Sequence, residues 1–147
     1  MRPVWRFFGH DEPNYTTMKD GKTLLGGLAS LSPEPVYIRT HNLLTSGDGT
    51  PALKWGSTGV YSEDAEGKPR YDWTILDRTF DTYKEKGVRS MVQIGFIPEA
   101  MSTHPVPYQH GGPPGGQAAL ATGVGHAPAD WNVGARVACQ VVTQDKR

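Results

Sequence analysis

Between residue 1 and about residue 102 the hydrophobic pattern keeps changing period, from short β-branched and aromatic runs to stripes at helical spacing and back again. This alternation constrains the fold most, because strand-helix-strand units build a parallel sheet with helices laid against it. Val4 to Phe8 reads as a first strand, closed by Gly9 and a polar turn through Pro13 and Asn14. A helix follows, with Asp20 as its expected N-cap and Leu24, Leu25, Leu28 and Leu31 as its buried stripe. Ser32-Pro33 should end it, since the residue before proline is pushed out of the α region. Val36 to Arg39 reads as the second strand.

Thr40 to Thr58 contains three glycines and one proline, so a long loop is expected. Val60 to Ser62 and Arg70 to Trp73 flank the turn-prone Asp64-Ala65-Glu66-Gly67, which predicts a small hairpin. From Thr74 the helical period returns. Ile75, Leu76, Phe80 and Tyr83 mark the buried side, and Asp77, Arg78, Asp81, Lys84, Glu85 and Lys86 mark the wet side. Gly87 fits the C′ position, and Ser90 to Phe96 reads as a third strand closed by Ile97-Pro98.

Beyond this the composition shifts. Residues 111 to 127 hold six glycines and two prolines, too little apolar surface to offset chain ordering. Val133 to Val142 has few strong helix formers, so residues 106–147 are expected to form a flexible or divergent segment after a first unit at 1–105.

Fifteen basic and fifteen acidic side chains cancel without any block of like charge. Electrostatic capture of nucleic acid or of an anionic membrane is therefore not expected. The longest apolar stretch, Met91 to Ile97, is far short of the roughly 20 residues that span a bilayer. Met1 to Phe8 has charge and aromatics but no apolar core or small-residue cleavage site, so no secretory signal is expected. The single cysteine, Cys139, cannot form an intramolecular disulfide and suits a reducing, cytoplasmic setting.

Four segments together resemble the N-terminal part of the catalytic barrel of glycoside hydrolase family 39, the β-xylosidase and α-L-iduronidase family. They are F-F-G-H-D-E-P-N-Y at Phe7 to Tyr15, R-T-H-N at Arg39 to Asn42, Y-D-W-T-I-L-D-R-T-F-D at Tyr71 to Asp81, and Q-I-G-F-I-P at Gln93 to Pro98. The resemblance covers about the first 105 residues. It implies an α/β fold of partial TIM-barrel-like units, with about three parallel strands, two or three helices and a Gly/Pro-rich irregular tail. A complete barrel of this kind needs about 250 residues, so a truncated barrel is expected from 147.

By resemblance the family's chemistry is retaining hydrolysis of O-glycosyl bonds, which needs two carboxyl groups about 5–5.5 Å apart. The family places its acid/base in an Asn-Glu-Pro motif after strand four and its nucleophile after strand seven, and neither has a counterpart in this chain. The catalytic residues are therefore unassigned, with Glu12 and Glu99 as weak candidates; Glu12 reads more readily as a loop-capping or sugar-contacting carboxylate. For substrate binding the resemblance points to His41, just past strand two, against the glycone sugar, and to Phe96 as an apolar wall after strand three. Each could instead be structural, a satisfied histidine and a core aromatic. Asn42, Trp55 and Asp48 complete the candidates.

Other chemistries find less support. His104, His110, His126 and His41 match no established metal-ligand spacing, and prolines at 105 and 107 prevent one helix from presenting the first two together. Gly111 to Gly116 lacks the Lys-Ser/Thr ending of a phosphate loop, and no Gly-x-Ser-x-Gly elbow is present. No metal or cofactor is expected. The partner expected is carbohydrate, a β-xyloside or related glycoside. An open parallel sheet also exposes edges that recruit other chains, so a homo-oligomer is expected. The alternative reading is a non-catalytic, sugar-binding barrel remnant that self-associates.

Overall fold

The computed structural model describes residues 4–11, 13–41, 43–45, 49, 59–95, 97–103 and 130–144. Three strands, β1 (Phe7–His10), β2 (Tyr37–Thr40) and a last strand at Arg89–Val92, form a parallel sheet in which β2 lies in the centre. The register sets Phe8 beside Ile38 and Ile38 beside Ser90. Helix α1 (Lys19–Ser30) crosses from β1 to β2. Between β2 and the last strand come an antiparallel hairpin, β3 (Tyr61–Glu63) with β4 (Pro69–Tyr71), and then helix α2 (Thr74–Glu85). The last strand is thus β5, and α3 (Trp131–Gln144) completes the order.

Successive side chains of a strand point to opposite faces, so each strand contributes alternate residues to each side of the sheet. Phe8 and Ile38 share one face and pack with Leu25, Leu28 and Ala29 of α1 and with Phe80 and Tyr83 of α2. Both helices therefore cover the same face, as in a barrel wall and unlike a doubly wound sheet. The opposite face presents Phe7, stacked on Tyr37 at 5.1 Å, and Met91. Phe7 is 53% exposed and Met91 46%. These are the partial TIM-barrel-like (β/α) units expected from the sequence.

A second core lies beyond α2. Leu76 packs there with Leu43, Leu44, Val60, Tyr61 and Met101, and α3 closes it with Val137 and Val141, both fully buried. Phe80 touches both cores and joins them.

Several boundaries differ from the sequence expectation. Val4–Arg6 is a 3-10 turn, and β1 starts at Phe7, where pairing with Tyr37 begins. The third strand ends at Val92 instead of Phe96, because β2 ends at Thr40; beyond it the Gln93 amide still bonds the Thr40 carbonyl. Asp20 is not the N-cap of α1: Met18 occupies that position, and Asp20 sits in the first turn, where its charge still complements the helix dipole. Leu25 and Leu28 face the core as expected, whereas Leu24 and Leu31 are each 62% exposed. α3 forms across Val133 to Val142 despite poor helix formers, since burial of Val137 and Val141 outweighs weak local propensity.

Gly87 takes the expected C′ role, with φ +73°. Val88 N–H donates to Tyr83 and Gly87 N–H to Lys84, the paired bonds of a Schellman end, which turn the chain directly into β5. In the hairpin, Asp64 Oδ1 accepts from the amides of Glu66 and Lys68, and Gly67 at φ +75° completes the turn.

Candidate functional site

Parity along the parallel strands places Asp11, Arg39, His41 and Gln93 on the open face, at or just beyond the carboxyl ends of β1, β2 and β5. This is the end of a (β/α) sheet where binding groups collect, because the loops there diverge. Two backbone bonds extend the sheet past its assigned strands: His41 N–H donates to the His10 carbonyl, and Gln93 N–H to the Thr40 carbonyl. His41 and Gln93 are therefore fixed by the ladder rather than by free loops. A further bond, from Leu44 N–H to the Gly95 carbonyl at 2.8 Å, ties the segment after β2 to the segment after β5.

Their side chains form one network. Arg39 Nη1 donates to Gln93 Oε1 at 2.8 Å, and Arg39 Nη2 donates to Asp11 Oδ1 at 3.2 Å. His41 Nδ1 lies 2.9 Å from the same Gln93 oxygen. The guanidinium passes close over Gly9, where a Cβ would lie 3.5 Å from Arg39 Nη2, an ordinary contact distance. The Arg39–Asp11 ion pair is solvent-exposed, so it orders the guanidinium more than it stabilises the fold.

Behind this face, on the helix side, lies a second polar cluster. Thr40 donates to the Tyr83 hydroxyl at 3.2 Å and contacts Ser90 Oγ at 3.1 Å. His10 Nδ1 lies 3.2 Å from the Tyr83 oxygen, and Thr16 Oγ1 reaches both. Burial pushes the Tyr83 phenol pKa upward, against opposing hydrogen bonds from Thr16 and Thr40. This cluster holds α2 against the strand ends that present His41 and Gln93.

His41 is half-buried just past β2, with its ring oriented by Gln93. Glu99 opens a short 3-10 turn, Glu99–Met101, after β5. Glu12, Asn42, Asp48, Trp55 and Phe96 lie outside the described residues, as do His104, His110 and His126. Asp11, Arg39 and Gln93 lie inside the segments that carry the family resemblance but are not singled out there; the signal that finds them is parity, since each falls on the side of its strand that His41 occupies. Among the described residues no group of three or more His, Cys, Asp and Glu side chains is arranged to hold a metal ion, and no helix is long and apolar enough to cross a membrane.

No protein-family model matches the chain. A curated β-xylosidase from Geobacillus stearothermophilus is 34% identical over 70 residues, which is 46% of this chain and 12% of that enzyme. Among solved structures, the family 39 glycoside hydrolase from Xanthomonas axonopodis pv. citri is 32% identical over 66% of this chain and 17% of its own, with a TM-score of 0.50. A family 39 β-xylosidase from Caulobacter crescentus is 29% identical, covers 66% of this chain and 19% of its own, and also scores 0.50. A monomeric β-xylosidase from strain CB15 of that organism, also 29% identical, scores 0.51 with 17% of its chain covered. The chain therefore spans less than a fifth of the length of these relatives. Over part of its length it is related to glycoside hydrolase family 39, and a glycoside hydrolase-like character follows for that part.

Proposed function

We propose that the open-face network is the glycone-binding wall of a β-xylosidase-type glycoside hydrolase, one that acts on the O-glycosyl bonds of β-xylosides. The observation on which this rests is the convergence of His41 and Arg39 on Gln93 Oε1 at the carboxyl ends of β2 and β5. Sugars are bound by directional hydrogen bonds to hydroxyls beside apolar ring faces, and a charge-ordered amide with an oriented imidazole supplies the first element. In this reading Phe96 and Trp55 supply the apolar element, and Asn42 a further hydroxyl contact. Glu12 and Glu99 are the carboxylates proposed for catalysis. A cytoplasmic setting fits the exposed thiol of Cys139.

The test is turnover of an aryl β-D-xyloside by extensively purified protein, beside an identically prepared Glu12→Gln/Glu99→Gln variant. Activity confined to the parent supports hydrolysis that uses these carboxylates. Equal turnover in both, or none in either, removes them from catalysis.

A second reading, non-catalytic sugar binding by a self-associating protein, is favoured by the exposed Phe7 and Met91, which lie on the open face. Self-pairing of that face between two copies would cover them. A single-chain mass in light scattering over a wide concentration range counts against self-association.

A further inference from the structure

We infer that Gln93 is a positioning residue that fixes the tautomer of His41, so that His41 meets its ligand as an acceptor of a hydroxyl proton through Nε2. An arginine side chain has only donors, so the Gln93 atom that receives Arg39 Nη1 at 2.8 Å must be the amide oxygen. The orientation of that amide is thereby set by chemistry, although oxygen and nitrogen look alike in outline. The same oxygen lies 2.9 Å from His41 Nδ1, and an amide oxygen can only accept. His41 Nδ1 must then bear the proton, and in the neutral ring the lone pair falls on Nε2. In water the neutral imidazole prefers the opposite arrangement, with its proton on Nε2, so the network inverts the ring's default polarity.

Asp11 extends the logic by one step. Its Oδ1 holds the other arm of the Arg39 fork at 3.2 Å, which keeps Nη1 aimed at Gln93 and prevents the amide from turning its NH2 group toward the guanidinium. The order of control runs from Asp11 to Arg39 to Gln93 to His41, across three neighbouring strand ends. The specificity consequence rests on the sugar-binding reading above. A ring locked as an acceptor favours a hydroxyl and discriminates against a fluoro or methoxy substituent at the same carbon, because neither can donate.

The decisive experiment is the 15N spectrum of the histidine rings at alkaline pH, where imidazole is neutral, recorded without sugar. The parent protein is expected to show His41 as the Nδ1–H tautomer. Gln93→Leu and, independently, Arg39→Met should lower the Nδ1–H fraction of His41, while Gln93→Glu, which keeps an oxygen acceptor in place, should retain Nδ1–H. A parent ring that is mainly Nε2–H, or a tautomer unchanged in whichever of the two disrupting variants folds, overturns the inference. Titration with methyl β-D-xyloside is read separately. A locked Nδ1–H tautomer without sugar binding leaves the positioning role standing and removes only the ligand assignment.

Discussion

Thr40 donates its hydroxyl proton to the phenol oxygen of Tyr83 at 3.2 Å, so the central strand and the second helix are joined by a polar contact inside a shared apolar core. Buried polar groups of this kind are worth most when every member is satisfied. Tyr83→Phe removes the group that receives Thr40 and contacts His10 and Thr16. The expected loss is about 1–3 kcal/mol of stability, the cost of leaving buried hydroxyl groups short of a partner. Urea unfolding with an unchanged m-value checks it, and a variant as stable as the parent would show that the cluster is incidental.

Half of this arrangement is legible in the sequence. Leu25, Leu28, Phe80 and Tyr83 can be placed on buried helix faces by period alone, because burial of apolar surface follows spacing. Leu24 and Leu31 cannot be told from them by period, since which edge of a wide stripe stays wet depends on where the neighbouring strand ends. Thr40 and Ser90 look like ordinary strand residues, and only the register that sets Thr40 beside Val92 shows them lying beneath Tyr83. The site divides in the same way. His41 is visible through its motif, whereas Arg39 and Gln93 are 54 residues apart and meet only once β2 and β5 pair.

The pH dependence of stability should show a fall on the alkaline side. Burial raises the pKa values of Tyr83 and Tyr61 above the ordinary phenol value near 10, and Tyr61 also donates to Glu63 at 2.7 Å, which opposes ionisation. Folding thus favours the neutral phenols. Their contribution is fully present below pH 10, and it is lost as pH rises above 10, where the unfolded chain ionises first. The stability gap between the parent and Tyr83→Phe should be flat from pH 7 to about 9.5 and shrink beyond it. A gap that widens above pH 10 would contradict the direction of the shift.

Gly21 lies in the first turn of α1, where replacement by alanine would ordinarily add up to about 1 kcal/mol of helix propensity. Here the sign reverses. A Cβ at Gly21 would overlap the backbone carbonyl oxygen of Tyr15, an atom of the turn that launches the helix and not a flexible side-chain tip. The chain must shift to admit it, so Gly21→Ala should destabilise by about 3 kcal/mol or more, at the upper end of overpacking costs. Gly27→Ala on the same helix, whose added Cβ would meet nothing within 4 Å beyond its chain neighbours and its own helix backbone, is the control and should be neutral or stabilising. Thermal unfolding of the two variants separates the effects.

Docking of α3 predicts a dependence on two small side chains far along the sequence. Val137 and Val141, one helical turn apart, are fully buried against Leu76, Tyr61 and Met101. Val137→Ala should cost about 1.5–3 kcal/mol from lost transfer energy and the space left behind. Ala135→Ser, on the exposed side of the same helix, should stay within about 0.5 kcal/mol. Equal stabilities for these two variants would show that the helix does not pack on the hairpin core.

Ligand linkage gives the last prediction and bears directly on the site. A ligand that binds only the folded state at about ten times its Kd adds about 1.4 kcal/mol of stability, which at this chain length is a rise of several degrees in Tm. Methyl β-D-xyloside should produce that rise in the parent. His41→Ala should abolish it while leaving the unliganded Tm within a few degrees, because His41 belongs to neither apolar core. Glu66→Gln, in the distant hairpin turn, should keep the rise intact. Loss in His41→Ala with retention in Glu66→Gln would locate the sugar at the carboxyl end of the sheet. Retention in both would place any binding elsewhere.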